Sequence, residues 1–220
     1  WSYDDVLPFF KKMENYQGEI TEVRSTEGPL KISEVVDRNP IYEGLFKGAE
    51  EIGIPINKDY NGHEQEGISY TQTTIFKGER MSAEVAYLKP IRSRKNLTII
   101  TNSLVTKLLF DGKTCIGVKV KNKNKIQDYF SQNEVILCGG AINSPQILEL
   151  SGIGNRSILE EKGISLVHEL KGVGENLRDH LGPRLVYNIT KKGISYNDKA
   201  RGLNLIKQVL TYAFKREGFL

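Results

Sequence analysis

An apolar run, Glu134-Val135-Ile136-Leu137-Cys138, ends on Gly139-Gly140 and passes directly into a helical pattern that Ser151-Gly152 closes. Strand, glycine turn and helix in immediate succession restrict the fold sharply. The order belongs to α/β proteins, where a sheet edge carries backbone up to a ligand. Without Cβ atoms, Gly139 and Gly140 let a bulky group approach, and a helix starting here aims its free N–H groups at it. Ser144-Pro145 is expected to open that helix as cap and first-turn proline, with Ile147, Leu148 and Leu150 on its apolar side. Gly139, Gly140 and Ala141 are thus the candidate ligand-facing turn. The competing reading is an ordinary strand-to-helix turn, closely packed and without a ligand.

The remaining pattern mixes helices with consecutive hairpins. Helices are expected over Asp4–Tyr16, capped by Asp4, and after Asn39-Pro40, where Ile41, Leu45, Phe46 and Ala49 fall at helical spacing. A short helix is expected over Ser82–Leu88, another over Ser157–Lys162, and an amphipathic one over Gly202–Leu220. Strands are expected over Leu30–Val35 and Gly67–Phe76. A dense β region follows: Leu97–Thr101, Leu104–Phe110, Cys115–Val120, Ile126–Phe130 and Glu134–Cys138. Asp111-Gly112 and the Lys121–Lys125 segment serve as its turns. Val186–Thr190 is a further candidate strand. The expected class is α/β: part of a dinucleotide-binding-type domain with a hairpin-rich segment, plus part of an α+β domain with an antiparallel sheet.

A chain of 220 residues with 31 basic and 27 acidic side chains carries a net charge of only +4, with the signs interspersed. The Lys121–Lys125 cluster sits between two strand patterns and reads as an exposed hairpin turn rather than a nucleic-acid patch. No apolar run reaches membrane-spanning length. No strand–GxGxxG–helix unit occurs, because Gly152-Ile-Gly154 follows a helix and Gly172-Val-Gly174-Glu-Asn-Leu177 has Leu at the third glycine. This argues against a nicotinamide-dependent Rossmann protein. Ser151 ends a helix rather than a strand, so it is no nucleophile elbow. No His/Cys set has metal-ligand spacing. His180 follows Asp179, a pairing that could orient a general base, but the position reads better as structural. His63 and His168 show no partner in the sequence. Asp4-Asp5 and Glu160-Glu161 are expected near helix starts, where carboxylates suit the dipole. Cys115 and Cys138 are expected in strands of one sheet as buried free thiols, with a disulfide between them as the lesser alternative.

Gly140-Ala141-x-x-Ser144-Pro145-x-Ile147-Leu148-x-x-Ser151-Gly152-Ile153-Gly154 resembles the second signature of the glucose–methanol–choline (GMC) oxidoreductases. Four further segments are similar to that family in the same order. They are Trp1–Glu14; Gly78-x-Arg80-x-Ser82 with Ala86-Tyr87-Leu88-x-Pro90; Arg94–Leu97 with Val105–Leu108; and Gly172–His180. The flavour is that of insect glucose-dehydrogenase-like members. The resemblance implies FAD and an alcohol or sugar substrate whose CH–OH group is oxidised by hydride transfer to flavin N5. It also implies that the Val105 backbone meets the adenine, and that Gly139, Gly140 and Ala141 form the turn beside the adenosine. By the same resemblance, residues 1–27 and 77–180 are parts of an FAD-binding domain, and 28–76 and 181–220 parts of a substrate domain.

The family's catalytic histidine and its GxGxxG match nothing within the chain, so residues 1–220 are expected to be an internal fragment, inert alone. A non-catalytic binding or structural module on the same fold is the alternative. Three sequons, at Asn96, Asn155 and Asn188, point toward an extracellular or secretory location.

Overall fold

The computed structural model describes residues 1–35 and 37–218, and the chain divides into two compact units, 1–97 with 186–220 and 98–185.

The first unit begins with α1, Tyr3–Met13. Its cap is Ser2 rather than Asp4. The Asp5 amide donates to Ser2 Oγ, and the Ser2 amide donates to Asp5 Oδ2 at 2.9 Å, closing a capping box. The Ser2 hydrogen bonds, backbone first, hold the Asp5 carboxyl below its ordinary range. The helix stops three residues short of the expected end because Glu14–Tyr16 becomes strand β1, pairing in parallel with β2, Leu30–Glu34. Helix α2, Pro40–Glu51, begins where Asn39-Pro40 predicts, with the Ile41 amide donating to Asn39 Oδ1 at 3.0 Å.

The expected strand over 67–76 is broken. Ile68 makes only an isolated bridge to Ile56, Gln72–Thr73 (β3) pairs antiparallel with β2, and Ile75–Phe76 (β4) forms a hairpin with Glu79–Arg80 (β5). Residues 84–88 form a π turn running into a 3-10 turn over 89–91, in place of a regular short helix.

The second unit is led by an antiparallel sheet in the order β6-β7-β8, over Leu104–Asp111, Thr114–Asn122 and Lys125–Phe130. Both hairpins turn where the sequence predicts. Helix α3, Gly140–Leu150, packs on β6. The short pair β9, Ile153–Gly154, and β10, His168–Glu169, flanks α4, Arg156–Glu161, which Asn155 caps. Glu160 and Glu161 therefore close α4 instead of opening it. The core is small: Leu108, Val120, Leu159 and Val173 are its buried apolar members, with Ser151 fully enclosed beside them.

Three expected strands, 97–101, 134–138 and 186–190, form no ladder among the described residues. In the first two, Ile99, Ile100 and Ile136 are exposed. A β pattern needs a neighbour to pair with, and none of the described strands pairs with these runs. Cys138 accordingly lies outside any sheet, and both cysteines are free thiols.

The chain returns to the first unit with α5, Tyr196–Lys199, and α6, Gly202–Lys215. Residues 219 and 220 of the expected last helix lie outside the described residues. The Tyr212 hydroxyl donates to Gly78 O at 2.9 Å, and Asn39 Nδ2 donates to Ile194 O at 2.8 Å, so the return segment is tied to the first stretch. Among the described residues, no helix is long and apolar enough to cross a membrane.

Candidate functional site

Helix α3 starts five residues earlier than Ser144-Pro145 suggests. Gly139 is the N-cap residue and offers no side-chain cap to the first-turn N–H groups, while Pro145 sits inside the helix. Gly140 follows with φ +82°, a left-handed conformation that side chains resist, and a Cβ built there would meet nothing within 4 Å. An uncapped first turn behind an open glycine is the geometry that receives an anionic or strongly polar ligand group. It fits a dinucleotide of the FAD kind. Ala141 is exposed in the same turn.

Val105 lies half-buried near the start of β6, opposite Val120. The register slips between Val105 and Lys107, a bulge that bends the strand and re-aims the backbone at this point. Because α3 packs on β6, the elements carrying all four candidate residues are neighbours. Their junction is Ser151, which is 0% exposed. The Leu108 amide donates to Ser151 Oγ at 2.8 Å, and the Ser151 hydroxyl donates to Ile147 O at 2.5 Å. Gly152 then ends the helix at φ +90°, where an added Cβ would lie 2.4 Å from Ser165 O.

The histidines come together with little. Asp179 Oδ1 accepts the His180 backbone amide at 2.8 Å rather than its ring, so the pair is not an oriented base. His63 Nε2 meets Glu22 Oε1 at 2.5 Å on the surface, a partner 41 residues away that spacing could not reveal. His168 is exposed in β10.

One feature of the first unit has no local signature in the sequence. A cleft of about 1090 Å³ is lined by Asp37, Arg38, Lys77, Arg80 and Tyr196 among others. The Tyr196 hydroxyl donates to Asp37 Oδ2 and lies 2.9 Å from the Tyr42 hydroxyl. Burial, then the bonds to Asp37 and Tyr42, push the Tyr196 hydroxyl well above its ordinary range. Tyr42 and Tyr196 are 154 residues apart, so only the fold brings them together.

The same architecture occurs in solved flavoenzymes. An FAD-dependent oxidoreductase from Chaetomium thermophilum superposes on the whole chain with a TM-score of 0.89 at 28% identity, the chain covering 41% of it. Formate oxidase of Aspergillus oryzae RIB40 superposes on 99% of the chain with a TM-score of 0.86 at 26% identity, the chain covering 39% of it. In sequence, human mitochondrial choline dehydrogenase is 40% identical over 181 residues, 82% of the chain and 30% of that protein. The oxygen-dependent choline dehydrogenase of Brucella anthropi is 41% identical over 181 residues, again 82% of the chain and 33% of that protein. The chain thus spans about a third of the length of these curated relatives. Family and structural neighbours point to FAD as the cofactor. With the GMC oxidoreductase family model matching residues 1–182, the uncapped glycine turn and its bulged neighbour strand sit in a chain that belongs to the GMC oxidoreductases.

Proposed function

We propose that the whole protein is an FAD-dependent oxidoreductase that converts the CH–OH group of an alcohol or sugar to the carbonyl. The observation carrying this reading is the uncapped Gly139-Gly140 opening of α3 within a GMC oxidoreductase chain. FAD, when bound, supplies a two-electron acceptor at flavin N5 for the hydride leaving the carbinol carbon. Within 1–220, the β6 strand and the opening of α3 then serve its adenosine half. Val105 offers a backbone amide and carbonyl to the adenine. Gly139, Gly140 and Ala141 leave room for the sugar and present the first-turn N–H groups of α3. No residue of 1–220 is assigned as the base that takes the hydroxyl proton.

The domain reading places 1–27 and 77–180 in the FAD-binding domain, and 28–76 and 181–220 in the substrate domain. The compact unit 98–185 supports the second FAD segment, and the grouping of 186–220 with the first stretch supports a shared substrate domain. The sequence resemblance is to glucose-dehydrogenase-like members, whereas the curated relatives are choline dehydrogenases by name, so the proposed substrate class is an alcohol or sugar. A secretory location rests on the sequons, of which Asn96 and Asn188 are exposed. Release of N-glycans by an endoglycosidase, read as a mass shift, tests that location.

The decisive experiment is anaerobic mixing of the purified whole protein with glucose, choline and simple primary alcohols. Bleaching of the flavin absorbance by at least one CH–OH donor is expected. Protein that purifies colourless and takes up no added FAD would overturn the reading.

A further inference from the structure

We infer that Ser151 is a positioning residue for FAD, setting the spacing between Val105 and the Gly139–Ala141 turn without touching the cofactor. The inference rests on the flavoenzyme reading above.

β6 is an edge strand, so alternate amides face away from β7 and need partners elsewhere. The Leu108 amide is one of these. It sits in a residue only 5% exposed, three positions beyond Val105, and Ser151 Oγ satisfies it at 2.8 Å. The same hydroxyl donates to Ile147 O in the last turn of α3 at 2.5 Å. A single enclosed oxygen therefore pins the strand bearing Val105 to the helix opened by Gly139 and Gly140.

The pin cannot slide. On its C-terminal side Gly152 holds φ +90° with Ser165 O pressed against the space of its missing Cβ. Losing the hydroxyl orphans a buried amide and frees the end of α3 to tilt. Helix α3 is 11 residues long, roughly 16 Å, with Pro145 inside it, so a tilt of its C-terminal half displaces the chain leading back to the glycine turn. The glycine turn would then shift relative to Val105.

Titration of the whole apoprotein with FAD, followed by flavin fluorescence, tests this. Ser151→Ala is expected to weaken FAD binding about tenfold, the worth of one buried hydrogen bond. Ser151→Cys keeps a side-chain hydrogen at a slightly larger atom that is a poorer acceptor, and should weaken binding in the same direction even if Ser151→Ala fails to fold. Faster hydrogen exchange at the Leu108 amide should accompany both. Leu159→Val serves as a control, thinning the same core at a residue 1% exposed while leaving the Ser151 hydrogen bonds intact. It should lower apoprotein stability with FAD affinity unchanged. Equal weakening in Leu159→Val and the Ser151 variants would make Ser151 a general structural residue and overturn the inference. So would wild-type FAD affinity in the Ser151 variants. A wild-type protein that takes up no FAD instead overturns the flavoenzyme reading itself.

Discussion

Arg24 and Ser151 solve the same problem in the two units by opposite means. Each is an enclosed polar group, 3% and 0% exposed, that joins segments far apart in sequence. Arg24 does so with charge. Its Nη2 meets Glu14 Oε1 at 2.8 Å, its Nη1 meets Asp59 Oδ1 at 2.9 Å, and its guanidinium lies 3.7 Å over the Tyr16 ring. Gln72 completes the cluster, donating to Asp59 Oδ1 at 2.7 Å and accepting from Arg24 Nη2 at 3.2 Å. Even so, Arg24 Nε and Asp59 Oδ2 are buried without a partner. Ser151 uses one neutral hydroxyl and satisfies it fully. The contrast shows what enclosed charge demands: several partners, incompletely met, any one of which leaves a costly remainder when removed. A hydroxyl needs only two partners and suits a joint that must be rigid.

The largest effect should come from breaking the charged joint. Arg24→Ala leaves Glu14 and Asp59 facing each other without a cation and is expected to cost about 3–5 kcal/mol in urea unfolding. A loss below that of Ser151→Ala would reverse the comparison. Next is the stop beside the neutral joint. Gly152→Ala combines a left-handed backbone with a Cβ 2.4 Å from Ser165 O. About 2–4 kcal/mol is expected. Gly140→Ala shares the positive φ but opens on empty space, so thermal unfolding should show only about 1–2 kcal/mol. Equal losses at the two glycines would remove the distinction between a packed stop and an open ligand turn.

A smaller effect is set by pH. Burial, then the Asp59 carboxylate, push the Tyr16 hydroxyl upward, against the opposing pull of Arg24. Its folded value exceeds the unfolded one near 10, so its contribution is complete below that value and fades as pH rises through the folded one. Tyr16→Phe should flatten this alkaline loss in unfolding curves above about pH 10. The smallest effect belongs to the surface pair His63–Glu22. The Glu22 backbone amide, then the His63 ring, lower the Glu22 carboxyl, giving a contribution present at neutral pH and lost as pH falls through the lowered value. Both partners are exposed, so His63→Ala should leave the unfolding midpoint at pH 7 unchanged.

Local chemistry was legible in the sequence; remote pairing was not. The β6-β7-β8 meander, Asn39-Pro40 opening α2 and Ser151-Gly152 closing α3 all follow from signals a few residues wide. The family signature was legible for the same reason. The cap at Ser2 was missed because Asp4 competes for the role, and the early start of α3 because Pro145 mimics a first-turn proline. Apolar runs at 97–101 and 134–138 read as strands, yet a strand is a property of two segments, and their pairing partners do not follow from their own residues. The Arg24–Asp59, Ser151–Leu108 and Tyr196–Asp37 bonds join residues 35, 43 and 159 positions apart, distances at which spacing carries no information.

Those two unpaired runs have a consequence for handling residues 1–220. Ile99, Ile100 and Ile136 are exposed in β-prone, uncharged runs that form no ladder among the described residues. Such segments are templates for intermolecular pairing. Expressed as residues 1–220 alone, the chain is expected to self-associate through them, and a charge placed at Ile136, 74% exposed, to act as a gatekeeper against that aggregation.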